Sequence, residues 1–330
     1  MKLALVTGAG GFMGSHLTCA LLAKGYRVRA MKRPQGNLAL FNRVAAFHEA
    51  SLTNVEWVDA ELSDIDSLLE YSAGVDVVFH CAARISFWRS DKDVLYQTNV
   101  CGTRNILNAA LKNGVPAFIH LSSVAALGRS LDKSHVITEG SAWQESSLNT
   151  DYARSKYLAE LEVWRAAEEG IAIAIINPGV VLGLGDGHSG SNQIFHLVEK
   201  GLRFYPAGSN GFVMAGDVCN MMISVWEQEL FGQRFLAVSH NLSYKELLDS
   251  VAINLHRTTP NIKLSGFLLK SLIFIGKLLE GVGLRPPFPY QGLISTSSHS
   301  EYLSENSQKI NNFQYNSVPE QLPAILEKLY

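Results

Sequence analysis

A glycine-rich turn placed directly behind the first apolar run constrains this chain more than any other feature. Lys2-Leu3-Ala4-Leu5-Val6 reads as a buried strand, Thr7-Gly8-Ala9-Gly10-Gly11-Phe12-Met13-Gly14 follows, and Met13–Lys24 has helical periodicity. Glycines at such a junction let the backbone turn tightly and approach a second group closely. The free amides and positive dipole end of the helix behind them attract a pyrophosphate. Gly8, Gly11 and Gly14 are the expected functional glycines, with Phe12 and Met13 on the same turn. A turn of this kind works between parallel strands, so the rest of the chain should supply them.

Short β-rich runs recur at Arg27–Met31, Val55–Val58, Val75–His80, Ala117–Ser122 and Ala172–Ile176, separated by helical stretches such as Val94–Asn113 and Tyr152–Glu168. Strand-then-helix alternation argues for an α/β chain, a Rossmann-type doubly wound parallel sheet covered on both faces. With 330 residues, 47% of them hydrophobic, the chain can bury one large core plus a lobe. The expected division is a nucleotide-binding domain over 1–178, rejoined at 210–238 with Phe212–Asp217 returning to the sheet. Residues 179–209 and 239–330 are then a smaller mixed lobe for substrate, entered through the Gly-rich stretch from Gly183 to Ser191.

Several function classes are disfavoured. A formal charge of −2 offers no basic field for nucleic acid. Cys19, Cys81, Cys101 and Cys219 lie far apart without paired spacing, so neither a metal site nor a disulfide framework is expected. The opening strand leaves no room for an export signal, and a cytoplasmic location is expected. The apolar stretch Phe267–Leu284 is interrupted by Lys270, Lys277 and Glu280. It reads as a core or groove-lining helix rather than a membrane contact, with an interfacial helix as the minority reading.

The residue behind the second strand separates NAD from NADP, because a carboxylate there binds ribose hydroxyls whereas arginine accommodates a 2′-phosphate. Arg29-Ala30-Met31-Lys32-Arg33 carries no acid and two adjacent cations. NADP(H) is therefore favoured, Arg33 being the better bidentate partner, and NAD(H) is the alternative.

Further motifs follow in order: Asp59-Ala60-Glu61-Leu62-Ser63-Asp64, His80-Cys81-Ala82-Ala83, Asn99-Val100-Cys101-Gly102-Thr103-Arg104-Asn105, Ser122-Ser123 and Tyr152-Ala153-Arg154-Ser155-Lys156. Together they resemble the extended short-chain dehydrogenase/reductase family over roughly the first 180 residues. The resemblance implies Glu61 and Leu62 beside an adenine, Ala82 and Ala83 along pyrophosphate and ribose, and cofactor contacts from Ser122, Asn177 and Pro178. It also implies a catalytic set of Ser123, Tyr152, Lys156 and Asn99, and a homodimer through the Asn99–Asn113 and Tyr152–Glu168 helices. Tyr152 and Lys156, four apart, share one helix face. A free phenol is a poor proton shuttle at pH 7, and a neighbouring ammonium stabilises its phenolate. Ser123 would hydrogen-bond the substrate oxygen, while Lys156 would also hold ribose hydroxyls.

Ile176-Asn177-Pro178-Gly179-Val180-Val181-Leu182-Gly183 and Arg29–Pro34 are similar to dihydroflavonol reductase-like members, which reduce ketones or aldehydes with NADPH. Three alternatives stand beside that reading: a nucleotide-sugar epimerase using bound NAD, a 3β-hydroxysteroid dehydrogenase-like enzyme, and a cofactor-sensing protein without turnover. Dehydration is disfavoured because Val124-Ala125 follow Ser123 where an acid pair would be needed. Phe87, Trp88, His188 and Gln193 are the candidate contacts to a small-molecule substrate, and His80 is expected to be structural.

Overall fold

The computed structural model describes residues 1–128, 136–187, 190–264, 266–281, 283–284, 286 and 288–330. The first part of the chain alternates β1 (Leu3–Thr7), α1 (Phe12–Ala23), β2 (Arg27–Lys32), α2 (Ala39–Phe47), β3 (Val55–Asp59), α3 (Ile65–Ser72) and β4 (Val77–His80). Next come α4 (Lys92–Leu95), a π-helical turn at Tyr96–Cys101 and α5 (Gly102–Lys112), then β5 (Ala117–Leu121), β6 (Val136–Ile137), α6 (Asp151–Glu168) and β7 (Ala172–Pro178). Beyond them lie β8 (Val180–Leu182), α7 (Gln193–Glu199), β9 (Phe204–Tyr205), β10 (Ser209–Met214), α8 (Ala215–Glu227), β11 (Gln233–Ala237) and β12 (His240–Ser243). The last elements are α9 (Tyr244–Asn254), β13 (Ile262–Lys263), α10 (Gly266–Gly281), α11 (Tyr290–Ser297), β14 (Glu301–Tyr302) and α12 (Val318–Leu329).

Seven parallel strands form the main sheet in the order β11-β7-β5-β4-β1-β2-β3. Successive residues of each strand feed opposite cores. Val6, Phe79, Ile119, Ala174 and Phe235 pack under α1 and α8, while Leu5, Val78, Phe118, Ile173 and Ile175 pack under α3, α5 and α6. Burial of each such large apolar side chain contributes roughly 1.5–3 kcal/mol. The strand order reverses between β1 and β4, and Thr7 and His80 stand in register at their carboxyl ends. That crevice is where an open α/β sheet binds ligands.

Phe212–Asp217 does not return to this sheet. Phe212–Met214 belong to β10, which pairs with β8 and β12 in a separate three-stranded sheet, and Asp217 lies on α8. The strand that rejoins the main sheet is β11, beside β7. The three-stranded sheet and α7, α9 and α12 gather around Leu182, Phe195, Phe212, Leu247, Leu322 and Leu326, while Ile137 of β6 and Tyr302 of β14 pack with Val124, Leu127 and Leu236.

The expected burial of the Phe267–Leu284 stretch is also corrected. Gly276 alone is buried on α10, and Phe267, Phe274 and Leu278 are 83%, 67% and 57% exposed. The helix rests on α11, and Phe267, Phe274, Ile275 and Leu278 on it stay largely exposed.

Two glycines at the turn between β1 and α1 are required by contact. Gly8 has φ +68°, and a Cβ there would lie 2.8 Å from the Cα of Ala82; at Gly14 it would lie 2.1 Å from the carbonyl oxygen of Gly8. Gly14→Ala should therefore displace α1 from the turn, costing about 1–3 kcal/mol in urea unfolding and weakening dinucleotide binding. Unchanged unfolding and binding would show that the turn absorbs the methyl group.

Candidate active site

The turn between β1 and α1 is a cradle of backbone. Gly11 is the N-cap of α1, makes no side-chain capping bond, and is followed by no acid in the first turn. The first amides of the helix are thus left for an anion. Thr7 closes the other side: its Oγ1 accepts from the Ala82 amide at 3.2 Å and meets His80 Nδ1 at 2.7 Å. The Phe12 ring lies under Gly183, 3.2 Å from where a Cβ would stand. His16, one turn further along α1, meets the carbonyl of Leu184 at 3.0 Å and is held neutral by burial, its pKa falling to about 4. A pyrophosphate fits this turn, because the uncapped amides at the start of α1 face no side-chain acceptor and no acid of the first turn.

Behind β2, Lys32 is ion-paired with Asp59 at the end of β3. Arg33 is exposed and has no ion-pair partner among the described residues. Glu61 is exposed, whereas Leu62 is half-buried, pressed on Gly102 and fixed through its carbonyl by Asn105 Nδ2 at 2.8 Å. Asn105 and Gly102 belong to a motif legible in the sequence, but their support of Leu62 was not.

Tyr152 and Lys156 lie on one face of α6, whose first turn is capped by Thr150 accepting from the Ala153 amide at 3.1 Å. Ser123, extended just past the end of β5, stands beside Tyr152 and accepts from the Ala125 amide at 3.2 Å. Burial pushes the Tyr152 phenol up to about 12, against the pull of Ser123. Lys156 is 2% exposed and donates to the Leu121 carbonyl at 2.8 Å, with His120 Nε2 at 3.4 Å. Burial lowers its pKa to about 8, and the nearby Glu160 opposes that fall. The ammonium is therefore charged at neutral pH.

Glu160, one turn beyond Lys156, is fully buried. Its carboxylate accepts from Ser122 Oγ at 2.5 Å, Asn177 Nδ2 at 2.6 Å and Arg234 Nε at 2.9 Å. Asn177 also donates to the Ser123 carbonyl at 2.9 Å. Ser122 and Asn177, expected beside the cofactor, thus direct their side chains to Glu160, while Pro178 ends β7 next to them. The sequence held one signal for Glu160: Tyr152, Lys156 and Glu160 recur every four residues. His80 stacks on His120 at 5.4 Å and meets Thr103 Oγ1 at 3.0 Å, in keeping with a structural role. Burial and then the Lys156 charge hold His80 neutral, its pKa falling to about 3.

Asn99 sits in the π-helical turn. Its Oδ1 accepts from the Arg84 amide at 2.8 Å, and its Nδ2 donates to the Arg84 carbonyl at 3.0 Å and to Ser155 Oγ at 2.9 Å. The side chain clamps the loop carrying half-buried Ala82 and exposed Ala83 onto α6. On the same loop the Phe87 ring meets the Tyr152 ring edge to face at 5.9 Å, and Trp88 is half-buried. Gln193 opens α7 and is exposed, and His188 lies outside the described residues. A contributor not foreseen is α11. Gln291 accepts from the Asp151 amide at 3.0 Å and donates to its carboxylate at 2.5 Å, and Gly292 backs Phe87. Among the described residues no His, Cys, Asp or Glu cluster could hold a metal, and no described helix is long and apolar enough to cross a membrane.

A glycine cradle at the switch point of a parallel sheet, with a Tyr–Lys helix face and a serine at the adjoining strand end, defines an NAD(P)-dependent enzyme of the short-chain dehydrogenase/reductase type. The model of the NAD dependent epimerase/dehydratase family matches residues 4–233, and the chain belongs to that family. A Synechocystis sp. protein provisionally named a dihydroflavonol 4-reductase is 29% identical over 306 residues, 90% of this chain and 85% of the relative. Sterol demethylase protein B of Methylococcus capsulatus is 27% identical over 278 residues, 84% of this chain and 81% of its own. The crystal structure of gox2253 superimposes with a TM-score of 0.83 at 27% identity, covering 99% of this chain and 98% of that one.

The buried ammonium gives a pH signature. The Lys156 pKa is about 8 in the folded chain against an ordinary value of 10.5. Between those values the unfolded chain binds the extra proton, so stability rises with pH there. Relative to Lys156→Met, the native protein should gain up to about 3 kcal/mol from pH 7 to pH 10.5. Paired urea unfolding curves at the two ends check this, and a constant difference would mean that Lys156 keeps its ordinary pKa.

Proposed function

We propose that the chain is an NADP(H)-dependent oxidoreductase. It transfers a hydride to or from the carbonyl or secondary alcohol of a small organic substrate, in the manner of dihydroflavonol reductases. The observation that carries this reading is the placing of Ser123 beside Tyr152, one helical turn from a buried, charged Lys156. In the reducing direction the hydride comes from the nicotinamide when that group is bound. The Tyr152 hydroxyl gives its proton to the carbonyl oxygen as charge builds there, and Ser123 Oγ donates a hydrogen bond to the same oxygen. The resulting phenolate is stabilised by the Lys156 ammonium and takes a proton back from solvent; oxidation runs the same transfers in reverse. With the phenol at about 12 in the buried site, this cationic support is required at neutral pH.

Asn99 acts as a positioning residue in this scheme, because its polar atoms already hold the Arg84 backbone and Ser155. Arg33 is the group available to a 2′-phosphate, since Lys32 is engaged by Asp59. Phe87 and Trp88 line the substrate side, and residues 179–209 and 239–330 complete the pocket. A homodimer through the π turn, α5 and α6 accords with the exposure of Tyr96 and Leu161 on those helices. The described cysteines are all free thiols, which suits a reducing cytoplasm. A nucleotide-sugar epimerase with bound NAD is the second reading, favoured by the family's shared scaffold.

Tyr152→Phe should lower kcat by roughly 10²–10⁴-fold with NADPH affinity unchanged. Full turnover in this variant would remove Tyr152 from the chemistry. Arg33→Ser should weaken NADPH about tenfold and NADH hardly at all, measured by nicotinamide fluorescence titration. Equal affinities in the native protein, with NAD⁺ retained through purification, would favour the epimerase.

A further inference from the structure

The outer face of α10 has a chemistry of its own. Phe267, Ser271, Phe274 and Leu278 recur at i, i+4, i+7 and i+11, so they form one stripe along the 16-residue helix. Gly276 lies on the opposite side, buried against the Tyr290 ring of α11. Lys270 and Lys277, seven apart, border the stripe along one edge and are exposed. Glu280, the one carboxylate of α10, turns inward toward Tyr290, and one of its oxygens is buried. The outward face therefore presents large apolar groups and two ammonium groups with no acid among them.

We propose that α10 is an interfacial helix that seats the protein on an anionic lipid surface. At about 24 Å the helix is too short to cross a bilayer, which fits an orientation in the interface plane. Lysine stems lie along apolar surface while their charges reach anionic headgroups. The core of a protein–protein contact is depleted in lysine, so the pairing of bare phenylalanines with Lys270 and Lys277 fits lipid rather than a second copy of the chain. The helix is one element removed from Tyr152. Its Gly276 packs on Tyr290 of α11, and α11 in turn backs Phe87 through Gly292 and holds Asp151 at the start of α6 through Gln291. Docking would thus place the substrate mouth beside the lipid phase, whichever reaction the site performs.

The test is co-sedimentation of the full-length protein with vesicles of phosphatidylcholine alone and of phosphatidylcholine carrying about 30% phosphatidylglycerol. Native protein should sediment with the anionic vesicles and be released by salt. Lys270→Gln with Lys277→Gln should weaken that binding roughly 30-fold. Phe274→Ser with Leu278→Ser should abolish it, and Phe267→Ser serves as the second apolar variant if that pair misfolds. NADPH titration and the thermal unfolding midpoint confirm that each variant is folded. No sedimentation of the native protein, or binding indifferent to these changes, overturns the proposal. So does a lipid-free dimer that the serine variants convert to monomer in sedimentation velocity, which would assign the face to a second copy.

Discussion

A charged lysine is held almost without solvent at the foot of the site, and much of the surrounding polar architecture follows from it. Removing an ammonium from water costs several kcal/mol unless its donors are used and an opposite charge is near. The Leu121 carbonyl takes one donor of Lys156, and Glu160 supplies the charge one turn away. Glu160 is itself buried, so it requires Arg234, Ser122 and Asn177 around it. His80 and His120, pressed against the same cation, have to stay neutral. The resulting polar layer includes groups from β1, β4, β5, β7 and β11. It ties the carboxyl ends of β1, β4, β5 and β7 together and reaches β11 through Arg234, which is what allows loops from distant parts of the chain to converge there.

Local features of the site were legible because their physics is local. The glycine turn, the near-continuous apolar strands and the Tyr152–Lys156 spacing each follow from backbone geometry over a few residues. Features that depend on partners far along the chain were not. Gln233–Ala237 does not look like a sheet strand, because its Arg234 reaches Glu160 and lies over the Trp164 ring. Phe212–Met214 looks like one and instead pairs with β8 and β12. The Gln291–Asp151 contact joins residues 140 apart, and nothing in either segment announces it. Periodicity marked α10 as having an apolar face, but it cannot say whether another element will cover that face.

The two cations behind β2 show a division of labour that composition conceals. Lys32 satisfies Asp59 and holds the ends of β2 and β3 together, leaving Arg33 as the exposed charge with no ion-pair partner among the described residues. An exposed pair of this kind is worth at most about 1 kcal/mol, so an incoming anion can compete for Lys32 as well. Adjacent like charges are tolerated because the carboxylate of the next strand separates their roles.

The π-helical turn at Tyr96–Cys101 carries a consequence for how this scaffold can change. Such a turn is one residue longer than the regular helix and twists everything beyond it by about 100°. Asn99 faces the Arg84 loop while Gly102 and Asn105, just past the turn, face Leu62. A one-residue deletion here would regularise the helix and put those two contact sets out of phase. The surplus residue works as a phase shifter, which makes this stretch intolerant of length change even where it tolerates substitution.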